Sequence, residues 1–337
     1  MRASSARLRD SSVRLADLSF PQVTPLIRRT RLVFIHVDNL LAFAKRDREG
    51  RLDGYVAAHL PDECLLILLR KGEAVNAASL HTSGREVVPI VEAMRRLRAG
   101  AERGDLTYSA APLEQLAWMY ASCAAPAEPR AIDPKAPAAF FPALRDEGLT
   151  AVVELIASGR VSYLRFEGGR FAAGYFCDRP PELPVPKYVE SLFQPCPDGT
   201  TPLLSAAVFP AVPDLPVQAP AALIHTYREL YWRVVDAVEG EFPGEAAKRA
   251  QRVAATLAGN PALPLLAAPR SAETPPTVVE AAQLATALTD WTRRLLEELE
   301  VVMPGTAARV LREATKEHRY VLQAAGFYGR LPWPVSW

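Results

Sequence analysis

Residues 148–176 read GLTAVVELIASGRVSYLRFEGGRFAAGYF, and the fold turns on how this stretch is parsed. Leu149, Val152, Val153, Ile156 and Ala157 fall at i, i+3, i+4, i+7 and i+8, the spacing of one apolar helical stripe. Gly159 then suits the left-handed position that closes a helix, because it carries no Cβ. From Val161 the period becomes two: Val161, Tyr163 and Arg165 point one way, Ser162, Leu164 and Phe166 the other. Gly168-Gly169 supplies the positive φ of a two-residue hairpin turn, and Phe171 to Phe176 is the return strand. The prolines at 180, 181, 184 and 186 forbid further sheet, and Val185 to Phe193 resumes as a short helix.

The same order of signals occurs about a hundred residues earlier. Leu40 to Ala44 ends a helix, Gly50-Arg51 matches Gly159-Arg160, and Leu52 to Ala58 is a strand. Leu65 to Leu69, Lys71-Gly72 and Ala74 to Leu80 give strand, turn and strand. Val88-Pro89-Ile90-Val91-Glu92 matches the region Val185 to Glu190, and Gly104 to Ala111 parallels Gly199 to Ala207. The expected fold is α+β: two tandem helix and β-hairpin modules with small antiparallel sheets, followed by an all-α helical bundle. A helix plus a short hairpin cannot cover both faces of its own sheet, so the modules are expected to pack as an internal pseudo-dimer.

These residues carry a family resemblance. A helix, a Gly with an apolar residue two positions on, a strand, and Gly-x-x-x-x-Ala in a hairpin is similar to the PATAN (PatA N-terminal-type) domains of bacterial signalling proteins. Here the pattern is Gly50-Arg51-Leu52, the run Leu66 to Ala77 with Gly72 and Ala77 in the hairpin, and Gly104 to Tyr108. The resemblance spans Pro25 to Val208 in two tandem copies, and the second departs by one strand fewer between Gly159 and Tyr163. The motif is glycines and apolar residues, so it specifies a fold rather than a reaction. It implies a protein-interaction module, with receiver-type or small-GTPase-linked components as partners, and it offers no catalytic residues.

Boundaries follow the prolines. Residues 1–30 read as a basic, disordered arm; residues 1–31 hold seven arginines against two aspartates, with contact to nucleic acid or acidic lipid as the competing reading. The first α+β module is 31–123, a Pro/Ala linker 124–138, the second module 139–209 and a Pro-rich linker 210–221. Residues 222–337 are helical and themselves repeat: Glu241-Phe242-Pro243-Gly244-Glu245-Ala246-Ala247 echoes Val302-Met303-Pro304-Gly305-Thr306-Ala307-Ala308. Two helix pairs, four antiparallel helices in all, are expected.

Composition narrows the function classes. A net charge of +1 over 337 residues argues against nucleic acid as a partner. No apolar run reaches the roughly 18 residues of a membrane span. Cys64, Cys123, Cys177 and Cys196 are scattered without Cys-x-x-Cys spacing or a nearby His, which suits reduced thiols in a bacterial cytoplasm better than disulfides or zinc.

The search for chemistry is mostly negative. Neither Gly-x-x-x-x-Gly-Lys-Ser/Thr, Gly-x-Gly-x-x-Gly nor His-Glu-x-x-His occurs, so no cofactor, no metal site and no catalytic residues are expected. Arg160, Arg165 and Arg170 around the hairpin could form an anion-binding face, with Arg165 and Arg170 as cross-strand neighbours relieved by Glu167. His81 could meet Cys64 or Glu63 in space, and Glu154 and Glu190 are expected on exposed helix faces. His318 is expected on a helix as a partly buried core residue. Phe327, Tyr328, Trp333 and Trp337 in the proline-punctuated tail could dock into a partner groove; the preferred alternative is that the tail folds back onto its own helices.

Two readings result. The first is a non-enzymatic signalling or scaffold protein, self-association included among its interactions. The second is a sensor or enzyme that binds a small anionic ligand between the modules, through Arg160, Arg165, Arg170 and His81. A pocket of converging polar groups favours the second, a bare apolar sheet edge the first.

Overall fold

The computed structural model describes residues 14–335 apart from 47–51, 126, 134–135, 137–138, 195–203, 258, 274–275 and 325. The chain forms two compact units, Met1–Pro216 and Val217–Trp337.

The first unit is α+β with two antiparallel sheets. Its elements begin β1 (Thr24–Arg31), α1 (Val37–Arg46), β2 (Gly54–His59), β3 (Glu63–Arg70), β4 (Glu73–His81), β5 (Gly84–Val88), α2 (Ile90–Ala99), β6 (Asp105–Ala110) and α3 (Leu113–Ala124). They continue β7 (Glu128–Arg130), α4 (Phe140–Asp146), β8 (Ala151–Ala157), β9 (Arg160–Glu167), β10 (Arg170–Phe176), α5 (Val185–Leu192) and β11 (Leu204–Phe209). The first sheet runs β1-β6-β2-β3-β4-β5 and the second β10-β9-β8-β11-β7.

The stretch 148–158 is not a helix. Ala151–Ala157 is the central strand β8, paired with β9 on one side and β11 on the other. All seven of its residues are buried, which explains the misreading. Val153, Leu155 and Ala157 pack under α4 and α5, while Val152, Glu154 and Ile156 face the opposite way. A strand covered on both faces shows a continuous apolar run rather than alternation, and periodicity cannot separate that from a helix. The helix of this region lies earlier, as α4, and Gly148 ends it. Leu149 N–H donates to the Leu144 carbonyl and Gly148 N–H to that of Arg145, the paired bonds of a Schellman closure with Gly148 at φ +68°. Gly159 instead forms a hairpin turn with Ser158 (φ +48° and +85°). No further strand lies between Gly159 and Tyr163, where β9 already begins at Arg160; in sheet order the place of β2 is taken by β8, which precedes Gly159. The equivalence of Gly159-Arg160 with Gly50-Arg51 falls outside the described residues.

Two further hairpins use the same device, Lys71-Gly72 between β3 and β4 and Gly168-Gly169 between β9 and β10, with positive φ at both positions of each turn. The short proline-rich segment after Ala124 is not only a linker, because Glu128–Arg130 pairs with β11 as the edge strand β7.

Residues 14–30 of the expected arm are ordered. Leu15, Leu18 and Phe20 are buried, and Thr24–Arg31 is strand β1, so the expectation of a disordered arm over 1–30 fails for residues 14–30. Ser19 straps this segment to the β8–β9 turn, donating to Gly159 O at 2.9 Å and accepting from Val161 N at 2.8 Å. A Cβ on Gly159 would lie 2.6 Å from the Asp17 carbonyl oxygen, so this close approach requires glycine.

Helix α3 is buried nearly all round, from Gln115 to Cys123. It touches both sheets: Trp118 meets Tyr175 of β10 edge-on at 5.1 Å, and it packs on β2 to β5 on its other side. Such a helix is apolar around most of its circumference because little of it meets solvent, and its buried polar residues Gln115 and Ser122 donate to the Pro21 and Met119 carbonyls.

The second unit is helical: α6 (Ala221–Glu241), α7 (Ala246–Thr256), α8 (Leu263–Leu266), α9 (Ala281–Val302), α10 (Thr306–Thr315) and α11 (Arg319–Ala324) surround one apolar core. Tyr231 of α6 stacks on Trp291 of α9 with ring centres 4.0 Å apart. The repeated Pro-Gly sequences have matching geometry. Glu239 accepts from Gly244 N and Ala246 N at the start of α7, and Glu300 accepts from Gly305 N and Ala307 N at the start of α10. Each carboxylate thus satisfies N–H groups that open the following helix. The segments entering α6 and α9 pair with one another through Ala219 N to Val279 O and Ala281 N to Val217 O.

Candidate functional site

The three arginines of the expected anion-binding face do not converge. Arg170 lies opposite Glu167, whereas Arg165 lies opposite Ala173, because Ala172 is inserted as a bulge between Phe171 and Ala173. Arg160 sits at the other end of β9, opposite Ala157. Its odd spacing from Arg165 sends the two side chains to opposite faces of the sheet. Arg165 is already neutralised, by Glu167 at 2.5 Å and by Glu114 of α3 at 3.3 Å. Glu114 also accepts from the Tyr175 hydroxyl at 2.8 Å. Arg165 therefore helps to join β9 to α3.

Of the two carboxylates, Glu190 lies as expected and Glu154 does not. Glu154 is on a strand, is 3 % exposed, and forms an ion pair with Arg85 of β5 at 2.6 Å. Burial disfavours the Arg85 charge, yet the adjacent carboxylate outweighs it and raises the guanidinium pKa. The same burial, reinforced by the Glu154 charge, pushes the nearby Tyr163 hydroxyl well above its ordinary value. Glu190 is exposed on α5. His318 lies in the turn before α11 rather than on a helix, with Nε2 3.3 Å from Glu229.

His81 does meet Glu63, at 3.9 Å, and not Cys64, which alternates to the opposite face of β3. Ser79 lies between them, its hydroxyl donating to Glu63 at 2.5 Å and lying 2.8 Å from His81 Nε2. A serine nucleophile needs the imidazole as its proton acceptor and the carboxylate on the far ring nitrogen. Here the hydroxyl proton is directed at the carboxylate, and Arg96 reaches the same Glu63 oxygen at 3.2 Å. The cluster ties β3, β4 and α2 together.

The described cysteines are not activated. Cys64, Cys123 and Cys177 are buried free thiols, and burial pushes the Cys64 and Cys123 pKa values up to about 12 and about 11. Cys196 lies outside the described residues. In the second unit Phe327 is buried, and Tyr328 and Trp333 pack on the helical core, as the folded-back tail requires. Trp337 lies outside the described residues.

One surface fits recognition. Strand β10, Arg-Phe-Ala-Ala-Gly-Tyr-Phe, ends the second sheet, with β9 as its sheet neighbour. The corresponding hairpin strand of the first sheet, β4, is covered by β5. Residues 170–172 of β10 are exposed and 173–176 half-buried, with Phe171 44 % exposed. Gly174 lets the rings of Phe171 and Phe176 close over its Cα; a Cβ there would lie 2.7 Å from Phe176 Cζ. The result is an apolar edge whose charge, Arg170, is at its start. Sequence reasoning identified this strand but not that it ends the sheet, which depends on a strand that does not follow it.

Compared with known proteins, the chain matches no family model, no curated protein and no solved structure. No helix among the described residues is long and apolar enough to cross a membrane.

Proposed function

We propose that this chain is a non-enzymatic bacterial signalling or scaffold protein that binds a protein partner through the open edge of its second sheet. The observation that carries this reading is β10, an apolar edge that among the described residues pairs with β9 alone, at the position where β4 of the other sheet is covered. Such an edge presents unpaired backbone groups to which an extended segment can add as a further strand. The shared strand orders β6-β2-β3-β4 and β11-β8-β9-β10 support tandem copies of one PATAN-like module. The repeated pairs α6–α7 and α9–α10, together with the short helices α8 and α11, support a helical bundle of more than the four helices expected, and buried thiols suit a cytoplasmic setting. A receiver-type or small-GTPase-linked component remains the partner class that the resemblance implies.

The test is capture of partners from the native cytoplasm by the full chain and by Ala172→Lys, which places a charge on the exposed edge as natural sheets do to block pairing. A partner retained by the wild type and lost by Ala172→Lys is the expected result. Equal recovery by both would move recognition away from β10.

A further inference from the structure

A cavity of about 360 Å³ opens in the first unit against β1, β2 and β6, closed on one side by the Cys177-Asp178 turn that follows β10. Its volume lies in the range of small-ligand sites. Leu18, Phe20 and Ile27 give it an apolar side, and Tyr55, His59 and Thr107 a polar one.

Two arginines and one aspartate line it. Arg29 is locked in place, its Nε on Asp105 at 3.1 Å and Nη1 on the Ala16 carbonyl at 2.6 Å. Arg28 is exposed, and among the described residues it has no ion pair. Asp105 balances Arg29, Arg28 and Asp178 both line the cavity, and a guanidinium fork is the group suited to oxyanions. His59 is 6 % exposed, with Nδ1 donating to the Leu15 carbonyl at 3.3 Å. Burial and the neighbouring Arg29 lower its pKa, so the ring enters as a neutral polar wall at neutral pH. Asp178 holds a left-handed φ of +57°, a conformation that costs energy outside glycine and recurs at ligand clamps.

From this geometry we infer that the cavity is a binding site for a small oxyanion, a metabolite bearing a carboxylate or phosphate group. It differs from the anion face expected at Arg160, Arg165 and Arg170, which the hairpin register pulls apart.

The full chain is titrated with inorganic phosphate, succinate and citrate at constant ionic strength, with chloride as the control, and binding is read by thermal shift and calorimetry. Saturable binding of at least one of the three is expected, and which of them binds distinguishes a phosphate from a carboxylate ligand. Arg28→Glu should weaken it tenfold or more, about one charge contact, whereas Arg312→Glu on exposed α10 should leave it unchanged. No saturable response up to about 10 mM, a range that covers even weak sites, would overturn the assignment, as would equal binding by Arg28→Glu. Because Ala172→Lys is read by partner capture and Arg28→Glu by anion binding, failure of one leaves the other standing.

Discussion

Arg85 and Glu154 show how a single pair can join two sheets at a cost. Both side chains are nearly dry, and each is tolerable only because the other is 2.6 Å away. Replacing Glu154 by Leu would strand a buried guanidinium, and the first unit should lose about 3–5 kcal/mol. The double variant Arg85→Met/Glu154→Leu should recover most of that loss, since an apolar pair of similar volume often matches a buried ion pair. Denaturant titration of the three proteins checks both outcomes. Glu300 makes a different, pH-dependent contribution. The Gly305 and then the Ala307 N–H groups hold its pKa below the ordinary 4.5. That stabilisation is complete above 4.5 and is lost as the pH falls through the lowered folded value. The melting temperature of the helical unit should therefore fall more steeply below pH 4.5 in the wild type than in Glu300→Gln.

Among the elements, β8 and its turn decide the second sheet. Ser158-Gly159 reverses the chain and also receives the N-terminal strap at Asp17 and Ser19. Gly159→Ala meets both a positive φ and a backbone oxygen at 2.6 Å, so it should cost more than about 1 kcal/mol, read as a lower denaturation midpoint. Gly148→Ala breaks only the φ requirement, since nothing lies within 4 Å of its added Cβ, and it should cost less. Reversal of that order would contradict the assignment of Gly148 to a helix end and Gly159 to a hairpin. Strand β10 then stands at the edge because the chain leaves the sheet at Cys177 and returns to it only as β11, on the far side of β8.

For the whole molecule, the division after Pro216 separates an α+β unit from a helical one. Each has its own apolar core, so calorimetry should show two transitions. Trp291→Ala, which empties the centre of the helical core, should destabilise one of them by about 3–5 kcal/mol. Glu154→Leu should move the other. Joint movement of both by either substitution would mean a single cooperative unit.

Much of this organisation is local and therefore legible in the residues. Positive-φ hairpin turns at Lys71-Gly72 and Gly168-Gly169, the helix after Pro184, and the repeated Pro-Gly helix junctions depend on a few adjacent residues, whose φ preferences act without tertiary help. Strand β8 was not legible, because burial on both faces erases the alternation that marks a strand. Strand β1 was missed because its edge position leaves it polar and arginine-rich, like an arm. The charged constellations were least legible of all. Arg165 with Glu114 and Arg85 with Glu154 lie 51 and 69 residues apart along the chain, and Arg28 and Asp178 line one cavity from still more distant positions. Local preference sets turns and helix ends, whereas side-chain partners and the open edge of β10 exist only once sheet order and bulges have set which faces meet.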